Sequence, residues 1–519
     1  MALGVASLQT TPGYMDADYY FYGGKRLTEG HGFTEMLLWN FLDEPTGLPH
    51  PSHIYWMPLA SILAAVGMKL FPFLGDFNAA QVVFVFVMSA IPTLTAALSM
   101  ALTRNQNKAT FAGILAAFSG FYLPVSTTTD SFGIFMLLGG VFFMLVFLMG
   151  RFGYLALGLV AGFMHLSRAD GLLWLGIAGV VVILEATRGA SGYSEKMRGL
   201  FSSKTFLGFV YITTGYLVVM APWLIRNYSL YGSLFPSGGG QTLWLLNYDE
   251  LFSYPASELT FERWWAAGLG EILLVRWKAL LLNLQSGFAV QGLIVLGPLA
   301  LFGAWQRRRE IAVKVGWVAW LMVFSVMTVV FPFSGARGGF FHTGAAFMPL
   351  IWALAPVGTE ALGNWSARRF DWDAKKIGRF FRGLLVVFVG IFSCVLVYSK
   401  IYGLDPTKQP EWGMSTRVYE KLESRLQSLG ALPEDIVLVN NPPGYAIVSG
   451  RSAIVIPDGG LDTLIAVIQR YRPRYILLEF DHPVGLNGLY ENPAEVPSGL
   501  RYMENVDSTH IFFVEEDWP

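Results

Sequence analysis

AAQVVFVFVMSAIPTLTAALSMAL, residues 79–102, runs for 24 residues without a charged side chain. A helix of that length spans the ~30 Å hydrocarbon core of a bilayer. Runs of the same kind recur at residues 109–125, 131–150, 152–167, 171–186, 205–225, 282–305, 311–331, 343–361 and 383–400. They predict about ten membrane helices, because no water-soluble fold has the interior to hide so many. Composition agrees: 54% of the 519 residues are hydrophobic and 14% charged, where a soluble domain carries about 25% charged residues. Net charge is −1, with basic residues scattered over short loops, which gives no face for nucleic acid.

Those basic residues orient the chain, since Lys and Arg near helix ends concentrate in the cytoplasm. Arg104 and Lys108, Arg151, Arg188 to Lys204, Arg307 to Arg309, and the group from Arg368 to Arg382 fall on alternate turns. With these turns inside, residues 1–78, 127–130, 168–170, 226–281, 334–342 and everything after 400 face outside. Both termini are then outside, and MALGVASL at residues 1–8 reads as the end of an apolar helix. A further membrane helix is expected ahead of it. Residues 55–71, apolar but rich in Trp, Tyr, Met and Pro, read as a helix lying at the interface.

Three regions follow: 1–78, an outer loop with interfacial helices; 79–402, a polytopic α-helical membrane domain; and 403–519, a small extracytoplasmic α/β domain. From residue 405 onward there are nine Lys or Arg against seventeen Asp or Glu. A helix over 416–429, strands at 436–440, 453–457 and 475–480, a helix over 461–471 and an edge strand at 510–515 suggest a parallel sheet. Asp458, Gly459 and Gly460 lack the spacing of a phosphate-binding loop. The single cysteine, Cys394, lies in an apolar run and reads as a small buried residue.

The unusual polar residues all fall on the outer side. GYMDADYYFYGGKRLTEGHGF, residues 13–33, mixes carboxylates and aromatics beside the membrane. Asp16 and Asp18 form a D-x-D pair, which on a loop can set one carboxylate as a base and the other as a metal or orienting partner, or can be two solvated acids. Asp130 closes TTTD; His165, Arg168 and Asp170 belong to HLSRADG; Arg226 and Asn227 to PWLIRNYSLYG; Arg337 and His342 to SGARGGFFHTGAAFMPL. Charges at membrane depth commonly line a path or cavity. His50 and His53 are separated by Pro51, against a helical metal pair.

The order of these motifs resembles the GT-C superfamily of membrane glycosyltransferases, in particular its protein mannosyltransferase and aminoarabinose transferase-like branch. The resemblance covers roughly residues 10–400. It rests on MDADYYFYGGKRLTEGHGF, then PHPSHIYWMPLASIL at 49–63, Asp130, PWLIRN at 222–227, and Arg337 ahead of Pro349. One departure is Ala17, which separates acids that are often adjacent in the family.

The resemblance implies transfer of a sugar from a polyprenyl-phosphate donor to a hydroxyl of a lipid, glycan or protein acceptor on the extracytoplasmic face, with inversion. It implies Asp16 as base with Asp18 in support, and Arg226, Arg337 and His342 for the donor phosphate. Asp130, Arg168 and His53 would line the pocket. No cofactor is expected, although the D-x-D spacing leaves a divalent metal open. The alternatives are a transporter or lipid flippase, a glycan polymerase or ligase, and a non-catalytic scaffold. An internal repeat with paired broken helices, expected of many transporters, is not visible in the sequence.

Overall fold

A computed structural model of the chain describes residues 1–405 and 409–515. The expected tail region, 403–519, thus includes residues 406–408 and 516–519, which lie outside the described residues. All ten apolar runs form helices. Six, Asp76–Thr103, Ala169–Ala186, Ser203–Tyr231, Ile311–Val330, Pro332–Phe370 and Ala374–Tyr402, are long and apolar enough to cross a membrane. A seventh span results if the bent pair Gly268–Gln291 and Leu296–Gln306 counts as one. The other three are shorter: Gln106–Phe118, Ser131–Leu145 and Arg151–Ser167 have 13, 15 and 17 residues. The first of these stops where Ser119 and Gly120 both turn left-handed, at φ 55°.

The ten expected spans thus reduce to six or seven by length and composition, and two of these also differ in detail. Residues 282–305 are not continuous, because the chain bends by 89° between Gln291 and Leu296. Leu293 and Ile294 adopt positive φ there, and a Cβ on Gly292 would come within 3.2 Å of the Gly297 Cα. Glycine at both positions lets the two helices meet that closely. The span expected to end at 225 continues to Tyr231 and stops at Gly232, φ 65°. Arg226 and Asn227 therefore sit inside the helix, not in a turn. Cys394 also departs from expectation: it is exposed, on the same helix whose Leu384, Val387, Ile391 and Val395 are all more than half exposed. That helix has one thin buried stripe, as suits a span that lipid covers.

The acidic motif forms a helix, Met15–Thr28, not a loop. It packs against the helix Leu59–Leu70 so closely that a Cβ on Gly24 would lie 2.8 Å from the Cβ of Ala64. This approach accounts for the Gly23-Gly24 pair. A short antiparallel ladder, Thr34–Glu35 with His50–Pro51, closes the rest of the first loop.

The tail forms a six-stranded sheet, but not from its own residues alone. Its spatial order is Leu37–Leu38, Ala453–Val455, Val437–Val439, Tyr475–Leu478, Thr509–Val514 and Leu500–Val506. The first four are parallel neighbours and the last two pair antiparallel. The outermost strand comes from the first loop, so the tail is docked on that loop. Tyr471 strengthens the contact by donating to the Pro45 carbonyl at 2.7 Å, and Trp412 Nε1 donates to the Thr11 carbonyl at 2.8 Å. The strand Leu500–Val506, which takes the edge expected of residues 510–515, and the helix Pro442–Ser449 were not expected. The first loop, the tail and the segment around Ser253, which bridges to Asp458, all gather at one end of the helix bundle.

Candidate active site

The site is built on the run Ser126 to Thr129, every residue of which is buried. Three threonine hydroxyls there face the N-terminal segment. Thr127 Oγ1 donates to Gln9 Oε1 at 2.9 Å, Thr128 Oγ1 to the Pro12 carbonyl at 3.0 Å, and Thr129 Oγ1 to the Ala17 carbonyl at 2.8 Å. These bonds tie the start of the acidic helix to the turn that carries Asp130. Asp130 caps the helix Ser131–Leu145, taking bonds from the Ser131 amide and hydroxyl on one oxygen. Its other oxygen accepts from Tyr14 at 2.6 Å.

Asp16 lies in the first turn of its helix, where the exposed amide dipoles favour an acid. His342 comes from much later in the sequence, on the short helix Phe340–Gly344 just after a kink at Arg337 and Gly338, where Gly338 takes φ 131°. Its ring stacks on Phe132, centroids 3.7 Å apart. Its Nδ1 is 3.1 Å from the Gly338 carbonyl; a carbonyl only accepts, so Nδ1 carries a proton. Its Nε2 lies 3.6 Å from Asp16 Oδ2 and 3.5 Å from Asp130 Oδ2, and it has no hydrogen-bond partner among the described residues. Either a second proton sits on Nε2, forming an imidazolium between two carboxylates, or its lone pair is offered to a cation. One oxygen from each acid and the imidazole nitrogen all lie within 4.8 Å of one another, so the trio could hold a divalent ion.

The two acids are tuned differently. Asp16 is raised to about 6, first by burial and then by the charge of Asp130, with His342 and Arg168 pulling the other way. Its side chain keeps 31% exposure, so substrate can reach it. Asp130 is held below the usual carboxylate range: burial pushes it up, but His342 and the bonds from Tyr14 and Ser131 outweigh that. A charged acid thus supports one whose proton is exchangeable near neutrality.

The remaining candidates divide. Arg168 donates from Nε to Asp170 at 2.9 Å and lies near enough to act on Asp16. Arg337 is exposed, with its guanidinium 4.1 Å over the Tyr248 ring and no ion pair among the described residues. It is free to take an anion. Arg226 is not, since it donates to the carbonyls of Phe33 at 3.1 Å and Ser52 at 2.9 Å and stacks on Trp223 at 4.4 Å. His53 lies between the hydroxyls of Ser52 and Ser61, at 2.7 and 2.8 Å, and burial pushes its imidazole down to about 3. Arg226 and His53 brace the first loop and do not reach the acids.

Asp18 is likewise kept apart from Asp16. On a helix two residues are about 200° apart in azimuth, and Asp18 turns toward the tail, 3% exposed, where Asn441 Nδ2 donates to it at 3.1 Å. Sequence reasoning also passed over Tyr14, Thr127 to Thr129, Tyr248 and Asn441. Only the TTTD run carried a signal, a cluster of hydroxyls directly before a buried acid.

A bundle of apolar helices topped by an acid-bearing helix and an α/β unit is an architecture this chain shares with solved structures. The solved structures that share it include ArnT from Cupriavidus metallidurans bound to undecaprenyl phosphate, with TM-score 0.52 and 11% identity over 100% of this chain and 97% of that one. The apo state of the same protein gives TM-score 0.50 and 10% identity, covering 98% and 96%. At such identities the likeness is one of fold. No protein-family model and no curated protein sequence matches the chain.

Proposed function

We propose that this chain is a multi-pass membrane glycosyltransferase that moves a sugar from a polyprenyl-phosphate donor to an acceptor hydroxyl, on the extracytoplasmic face. The observation that carries the reading is the meeting of Asp16, Asp130 and His342, residues from three distant parts of the sequence, at the end of the bundle away from the basic turns. ArnT, with the same fold, was crystallised with undecaprenyl phosphate.

In this reading Asp16 accepts the proton of the acceptor hydroxyl. The oxygen attacks the anomeric carbon as its bond to the phosphate breaks on the opposite side, so the centre inverts. The leaving phosphodiester becomes a monoester and gains a negative charge. Arg337, with no ion pair among the described residues, and His342 are the groups that stabilise that charge. Asp130 holds His342 in place, and Arg168 supports the field around Asp16. The donor's apolar tail also finds a place. A groove of about 640 Å³, lined by residues such as Phe288, Trp317, Trp320 and Phe347, opens at the helix break. Its wall touches the His342 helix, where Gln291 Nε2 donates to the Phe340 carbonyl at 3.4 Å.

The test is incubation of the purified protein in liposomes with a panel of undecaprenyl-phosphate-linked pentoses and hexoses, with lipid and glycan acceptors. Release of undecaprenyl phosphate, with the sugar found on an acceptor at inverted configuration, is the expected result. Binding of the panel without release from any member would overturn the reading.

A further inference from the structure

The two acids of the D-x-D motif leave their helix in opposite directions. Asp16 faces Asp130 and His342, while Asp18 is buried against the tail. No ion pair to Asp18 exists among the described residues; burial pushes it up to about 7, and the amide of Asn441 is the group that works against that rise. The amide's orientation is set from its other end. Asn441 Oδ1 accepts from the Gly444 amide at 3.1 Å and caps the helix Pro442–Ser449, which leaves Nδ2 directed at Asp18.

Asn441 follows the carboxyl end of the strand Val437–Val439. From there the chain crosses to Ala453–Val455 on one side and then returns to Tyr475–Leu478 on the other. Such a reversal opens a crevice at the carboxyl ends of the strands, the usual ligand-facing edge of a doubly wound sheet. In this protein the edge meets the acidic helix: a Cβ on Gly444 would come within 2.9 Å of Asp18 Oδ2.

We propose that Asn441 is a positioning residue for sugar transfer. By holding Asp18, it fixes the roll of the helix Met15–Thr28 and so the aim of Asp16 at Asp130 and His342. Two residues on one rigid helix cannot rotate independently, and about 100° separates successive side chains. The tail thereby acts on the reaction without touching the reacting atoms. This inference rests on the function proposed above.

The test uses the full chain in liposomes with an undecaprenyl-phosphate-linked pentose, and compares Asn441→Ala, Asn441→Asp and the double variant Asp18→Asn/Asn441→Asp. Aspartate at 441 still caps its helix but sets two carboxylates face to face. The double variant restores an amide–carboxylate pair with the roles exchanged, and the comparison isolates the coupling between the two positions. Both single variants are expected to lower kcat at least tenfold, with the donor KM within twofold of wild type and faster amide exchange across residues 15–28. The double variant is expected to recover both readouts. An unchanged kcat in Asn441→Asp, or a double variant no better than that single one, would overturn the proposal. Should the wild type release no undecaprenyl phosphate, the functional reading fails by itself. The exchange measurement still decides the joint, since unchanged exchange in Asn441→Asp removes it.

Discussion

His342 Nε2 lies 3.5 Å from Asp130 Oδ2, on a ring whose other nitrogen is already bonded to the carbonyl of Gly338. The ring is therefore held by one atom and offered by the other. If the offered atom is protonated, the site supplies its own cation, and sugar transfer survives prolonged treatment with EDTA. His342→Gln, which keeps size and polarity but not charge, then costs about 10²-fold to 10³-fold in kcat, the usual loss for one group stabilising a transition-state anion. Loss of transfer in EDTA with recovery on adding Mn²⁺ would instead assign Asp16, Asp130 and His342 to a metal.

The raised position of Asp16 sets an acid limit on activity. A general base works as its carboxylate, which is present above the shifted value of about 6 and is lost as pH falls through it. Transfer is expected to decline about tenfold per pH unit below 6 and to hold level just above. Asp16→Asn abolishes the carboxylate and is expected to cost roughly 10²-fold to 10⁴-fold in rate while leaving expression intact. A flat pH profile from 4 to 7 would exclude Asp16 as the base.

Arg337 touches an aromatic face and, among the described residues, pairs with no acid, so its removal strands no partner charge. Arg337→Ala is expected to weaken donor use by about 1.5–3 kcal/mol, the range for a hydrogen bond to a charged group. That is roughly a tenfold to hundredfold rise in donor KM, read by titrating the donor at saturating acceptor. Arg226→Ala should differ in kind, lowering thermal stability through the loss of its bonds to Phe33 and Ser52.

The sidedness of the tail is open to a labelling experiment. Ser508 is exposed, between the last two strands of the sheet. Ser508→Cys in a Cys394→Ala background is expected to react with a membrane-impermeant maleimide in intact cells. Reaction only after permeabilisation would turn the whole arrangement round.

Much of this architecture was readable in the residues, and the limits have physical causes. Apolar runs of membrane length announced themselves because nothing but lipid or other spans can cover them, and all ten runs are helical. The 89° break near Gly292 was hidden because a bent helix remains as apolar as a straight one. In the site, Asp16, Asp130 and His342 were each visible as polar residues near helix ends. The motif order implied that they share a pocket, but not their contacts, which depend on three threonine bonds and the kink at Gly338. The acidic motif was read as a loop because Tyr, Phe and Gly are weak helix formers; packing on Leu59–Leu70 overrides that preference. Arg226 and His53 show the converse, for a cation beside the membrane can be occupied by backbone carbonyls and a neutral imidazole by hydroxyls.

The strand at Leu37–Leu38 pairs with Ala453–Val455, so the sheet closes a circuit of about 400 residues. Synthesis makes one partner about 400 residues before the other. Until the last segment has emerged, the early strand has an unmet edge and the reactive helix lacks its outer support. A ribosome that stalls between residues 402 and 453 would thus leave the spans up to Tyr402 made but the business end still open.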